Sequence, residues 1–213
     1  MRIDQISKKY KIQNFIEKIR SHLAEYNGEL IFKFGLSNTR RFDGEFLESD
    51  MIIRCFIDPN SSYWIGVLAH EYAHFLQCIS GNKFWINFQD AIFDNIEDLE
   101  IVFHKDGKKL DKRLRKKISS CIIKMELDCD KSALKIMDKY KLPVNKKEYR
   151  SKANIILYKY LYWSEHGEWP SLTNKKTGKT VDWKNLNVSK LMDQKQYASY
   201  KNIPLKLRYL FAQ

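Results

Sequence analysis

The order of apolar patterns predicts an α+β protein with a small N-terminal sheet followed by helices. Two observations carry this. "ELIFKFG" (29–35) and "DMIIRCFID" (50–58) are rich in β-branched and aromatic residues and read as strands. From residue 62 onward the long apolar patterns repeat at helical spacing. Hydrophobic residues make up 44% of the chain and charged residues 30%, a balance that excludes a disordered chain.

The elements follow in order. Ile3 to Tyr26 reads as an amphipathic helix, with Ile12, Phe15, Ile16, Ile19 and Leu23 on one face. Asn27-Gly28 ends it. Between the two strands, 40–48 holds an Asp43-Gly44 turn signal for a short hairpin. Asp58-Pro59-Asn60 closes the strand region, and Ser61 or Ser62 can cap the next helix, about 62–80, which ends at Gly81. Residues 84–104 are apolar with an acidic stripe and read as helical. Leu110 to Tyr140 is a long helical pattern broken by Pro143, and Glu148 to Trp163 is another. Residues 167–183 read as a loop or ribbon, and 186–213 as a tail of short helices packing back.

A chain of 213 residues fits one domain. Its expected core is about 29–140, with 141–213 as a helical extension packed on it. No apolar run approaches the roughly 18–20 residues of a membrane span. The N-terminus lacks the apolar stretch of a signal peptide. Both point to a cytoplasmic protein that does not enter membranes. Cys55, Cys78, Cys121 and Cys129 form no C-x-x-C pair and read as free thiols.

The net charge of +12 is uneven: residues 1–104 carry −4 and residues 105–213 carry +16. The densest block, Lys105 to Lys117, has eight basic and two acidic groups. It could attract nucleic acid non-specifically, or an acidic partner. The simpler reading is a solvated helix face.

The chemistry concentrates in "VLAHEYAHFLQ" (67–77), where His70, Glu71 and His74 have the order H-E-x-x-H. On a helix the two histidines share a face and can share one zinc ion. Glu71 can reach a zinc-bound water and act as its general base. The helix has apolar anchors, and Ala69 and Ala73 allow close approach of another helix. A catalytic zinc needs a third protein ligand and one open position. "KMELDCDKSAL" (124–134) offers Glu126 as that ligand, with Asp130 four residues on and on the same face. Asp130 would accept a hydrogen bond from the outer nitrogen of a ligand histidine. Glu97, Glu100 and His104 are rivals for the third position; the 94–100 stripe also reads as a solvated face.

H-E-x-x-H followed on a later helix by E-x-x-x-D resembles the gluzincin branch of the zincin metallopeptidases. The 52-residue separation of His74 and Glu126, and "ELDCD", look most like compact M48-type relatives and minigluzincins. Cys129 stands where the family form usually carries alanine. Short cytoplasmic zincins of phages and mobile elements are similar in size. The resemblance covers roughly 29–140. It implies a zincin-like fold of small twisted sheet, active-site helix and glutamate-bearing helix. It also implies a zinc-dependent hydrolase acting on a protein or peptide, with zinc on His70, His74 and Glu126, and Glu71 as base. In that plan the strand before the active-site helix, 50–58, edges the cleft, and an extended peptide adds to its free edge. His166 is the candidate oxyanion donor, with Tyr162 and Arg150 as alternatives. The alternative function is a non-proteolytic zincin-like binding or regulatory protein whose basic half holds nucleic acid or an acidic partner.

Overall fold

The computed structural model describes residues 3–34, 43–93, 110–171 and 194–211. Among these it is an α+β protein. The helices are α1 (Ile3–Tyr10), α2 (Gln13–Ala24), α3 (Tyr63–Ile79), α4 (Lys83–Phe93), α5 (Lys112–Lys139), α6 (Lys146–His166) and α7 (Leu205–Phe211). The strands are β1 (Glu29–Phe34), β2 (Gly44–Leu47) and β3 (Ile52–Ile57). Among the described residues no helix is long and apolar enough to cross a membrane.

The chain forms two compact units. One comprises residues 1–82 and 129–149; the other comprises 83–128 and 150–213. The boundaries fall between α3 and α4, inside α5 and inside α6.

In the first unit, the expected single N-terminal helix is two. Lys11, at φ 56°, turns the chain, and the Ile12 N–H reaches back 2.9 Å to the Ser7 carbonyl. This is a helix C-terminal turn made without glycine. It lets Ile6 and Ile12 both reach the core, with Phe15, Ile16, Ile19 and Leu23. Asn27, at φ 56°, ends α2, and the Gly28 N–H bonds to the Leu23 carbonyl at 2.9 Å.

The sheet order is β1-β3-β2. β1 runs parallel to β3, with Glu29 opposite Ile52 and Phe34 opposite Ile57. β2 runs antiparallel, with Gly44 opposite Cys55 and Leu47 opposite Ile52. This corrects the expectation that 50–58 is an edge. β3 is paired on both sides, and its alternate residues Ile53, Cys55 and Ile57 are fully buried. Among the described residues β2 pairs only with β3, so the edge next to β3 belongs to 44–47. The β2–β3 hairpin also turns elsewhere than expected: through Glu48–Asp50 and Met51 at φ 52°, with Gly44 already in the strand.

The core of this unit joins the α2 and α3 faces, the inner sheet face, and Cys129, Ala133 and Met137 of α5. The second unit has its own apolar clusters. Ile155, Tyr158, Leu161 and Tyr162 of α6 meet Ile123, Leu127 and the C-terminal Tyr197, Ile203, Leu207 and Phe211. The tail therefore packs on α6 and the first part of α5. Ile118, Ile122 and Trp163 form a second cluster.

The Lys105–Lys117 block is described only from residue 110. Lys112 and Lys116 both pair with Glu165. Arg115 is buried, donating to the carbonyls of Leu110 and Ser164. Lys112 and Lys116 remain exposed, whereas Arg115 serves the fold. All four cysteines are free thiols.

Candidate metal centre

The centre is built on α3. Ser61 Oγ accepts the Tyr63 N–H at 3.1 Å and starts the helix. Gly81, at φ 60°, ends it, and the Asn82 N–H closes onto the Gln77 carbonyl at 3.0 Å. The anchors Leu68, Ala69, Ala73 and Phe75 are fully buried. Apart from Ser7, the buried polar residues described in the first unit are Glu71, His74, Gln77 and Asp130. Such groups are costly in a core unless their chemistry is shared.

The arrangement of the two imidazoles decides what the site wants. His70 Nδ1 donates to Asp130 Oδ1 at 3.1 Å, and His74 Nδ1 lies 3.0 Å from the Gln77 Oε1 acceptor. With both outer nitrogens carrying the proton, both Nε2 atoms present lone pairs. Those Nε2 atoms face each other at 3.0 Å. Two lone pairs at that distance repel unless a cation, a proton or a metal ion, is shared between them. Two nitrogens on one tetrahedral zinc stand about 3.3 Å apart. The observed pair is close to that spacing. Burial opposes a charge on His70, yet the neighbouring Cys129 and Tyr149 and the Asp130 hydrogen bond raise its imidazole pKa well above the ordinary value.

Asp130 is placed by α5, whose register also brings Ala133 and Met137 into the core. Its Oδ1 accepts a second hydrogen bond, from Tyr149 Oη at 2.6 Å. Burial, then the Asp130 charge, push the Tyr149 phenol well above its ordinary pKa, so it remains a donor. Tyr149 reaches this point because Gly66 has no side chain: a Cβ there would lie 3.2 Å from the Tyr149 ring.

Glu71 is buried on the side of α3 that meets β2. Gly44 admits it: a Cβ on Gly44 would come within 2.5 Å of Val67 Cγ1 and 3.1 Å of Glu71 Cγ. The Glu71 charge also helps burial to raise the Cys55 thiol pKa, burial being the larger cause.

His70, His74 and Cys129 offer ligand atoms that all lie within 4.8 Å of one another. Cys129 Sγ approaches His70 from the Nδ1 side, at 3.6 Å, and its thiol donates to the His70 carbonyl at 3.2 Å. Its position behind the ring suits support of His70 better than sharing an ion with both Nε2 atoms. Glu126, which falls in the second unit, is half-buried, one turn before Asp130 on α5. Asp128 is half-buried. Glu97, Glu100 and His104 lie outside the described residues. His166 is in the second unit, exposed, stacked on Tyr162 at 4.3 Å and edge-on to Tyr200 at 5.1 Å. Arg150 and Tyr162 belong to the second unit too.

Sequence reasoning missed three neighbours of the histidines. Gln77 carried a usable signal, since residue i+3 from His74 shares its helix face. Cys129 was read as a bystander thiol. Tyr149 carried no local signal, being 79 residues from His70. No family model, curated protein or solved structure matches the chain.

Proposed function

We propose that the protein is a zinc-dependent metallopeptidase of zincin-like fold. The observation that carries this reading is the facing pair of His70 and His74 Nε2 atoms, 3.0 Å apart, each backed by an acceptor on its outer nitrogen. That donor set fits a divalent metal. His70 and His74 would hold zinc; Glu126 is kept as the third protein ligand on the sequence pattern, one turn before Asp130 on α5. Bound zinc would polarise a scissile carbonyl and make a water acidic at neutral pH.

The chain's own residues do the rest. Glu71 takes the proton of the attacking water and delivers it to the leaving amine nitrogen. Its position beside the first histidine on α3, held against Gly44 of β2, supports this role. Asp130 and Gln77 fix the histidine tautomers and ring planes. The β2 edge is where an extended peptide would add as a strand, held by main-chain hydrogen bonds. A buried glutamate next to the first ligand supports hydrolysis over a binding-only role.

The test is cleavage of casein or a peptide library by wild type, Glu71→Gln and Glu126→Ala. Glu71→Gln should keep the metal and lose about 10²–10⁴-fold in rate. Glu126→Ala should lose both metal and activity. Undiminished cleavage by Glu71→Gln would refute the mechanism. Metal retained in Glu126→Ala would refute that ligand.

A further inference from the structure

We propose that Tyr149 is a positioning residue for His70 and acts on it through Asp130. The inference rests on the reading of His70 and His74 as metal ligands. Three polar atoms form a closed triangle: Tyr149 Oη to Asp130 Oδ1 at 2.6 Å, and His70 Nδ1 to each of them at 3.1 Å. The phenol donates to the carboxylate, and the His70 N–H is cradled by both oxygens. Asp130 is 4% exposed and Tyr149 is 6% exposed, so water is a poor substitute for either partner.

The placement of Tyr149 is built into the local structure. Asn145 Oδ1 accepts the Glu148 N–H at 3.2 Å and caps α6, while its carbonyl accepts the Tyr149 N–H at 2.9 Å. The cap fixes Tyr149 in the first turn. Its ring then lies against α3 at Gly66, where a Cβ would stand 3.2 Å from it. From there the hydroxyl reaches only the polar cluster behind His70. A buried carboxylate that loses a donor is less well held in its rotamer. The imidazole that it orients then loses its fixed tautomer. Tyr149 so extends the histidine–carboxylate pair to a tyrosine–carboxylate–histidine relay.

The experiment measures the zinc dissociation constant of the full chain by competition with a chromogenic chelator, and the visible spectrum of the Co²⁺-loaded protein. Tyr149→Phe removes one oxygen and keeps the ring that packs on Gly66. It should bind one zinc about 10–100-fold more weakly and shift the Co²⁺ bands. Tyr72→Phe is the control: it removes another buried hydroxyl of the same unit, one that bonds His22 Nδ1 at 2.8 Å. It should leave both readouts unchanged. In an Asp130→Asn background, Tyr149→Phe should add less than threefold, because the charged acceptor through which the phenol mainly acts is lost and only its direct, neutral contact with His70 Nδ1 remains. Three results would overturn the proposal: affinity in Tyr149→Phe within twofold of wild type, equal weakening in Tyr72→Phe, or additive effects with Asp130→Asn. Absence of zinc binding in wild type would instead overturn the metal site itself, and the two failures are distinct.

Discussion

Replacing Gly44 by alanine asks whether the close approach of β2 to α3 is required. The added Cβ would lie 2.5 Å from Val67 Cγ1, 3.1 Å from Glu71 Cγ and 3.3 Å from the Arg54 carbonyl. Carbon atoms pack at about 3.5–4.0 Å, so the strand and helix must separate by roughly 1 Å. Val67 has little freedom, being β-branched and on a buried helix. Such overpacking costs about 1–3 kcal/mol, or roughly 3–10 °C in Tm for a chain of this length. Gly81→Ala is the comparison. Its Cβ would meet nothing within 4 Å, so only its φ of 60° is penalised, by about 1–2 kcal/mol. Thermal and urea unfolding followed by circular dichroism measure both. Because the clash falls on Glu71 and not on the histidines, Gly44→Ala should also slow peptide cleavage while keeping its metal. A loss below about 0.5 kcal/mol, with cleavage unchanged, would refute the packing argument.

Two further outcomes follow from the same structure. Cys129→Ala should retain zinc with at most a tenfold loss of affinity, because the thiol sits behind His70; complete loss in a metal titration would instead make Cys129 the third ligand. Glu165 has its carboxyl pKa lowered by the Lys112 hydrogen bond, against burial and with help from Lys116. Its stabilising contribution is therefore present above the ordinary glutamate range and lost as the pH falls through it. Glu165→Gln should flatten the acid limb of the stability–pH curve, and an unchanged limb in urea titrations would contradict that.

How much of this was legible depended on the range of each signal. The α3 helix and its histidine pair follow from local spacing, as does the shared face of Glu126 and Asp130. The apolar faces of Ile12 to Leu23 were legible for the same reason. The break between α1 and α2 was not, because Lys11 adopts a left-handed conformation without the glycine that usually signals it. Met51 hid the true hairpin turn in the same way. Strand order was illegible for a different reason. The parallel β1–β3 pairing joins segments more than 20 residues apart, and nothing local in 50–58 tells a central strand from an edge. Tyr149 belongs to that class: only the fold brings it to Asp130. The third metal ligand rests on helical register, which names a face but not the group that completes the site.

The most direct measurement is metal content by mass spectrometry of wild type and His74→Ala, each purified without added metal and then offered zinc at micromolar concentration. Facing lone pairs predict about one zinc per wild-type chain and a large loss when His74 is removed. A wild-type protein that takes up no metal, or a His74→Ala protein that holds as much as wild type, would contradict the account.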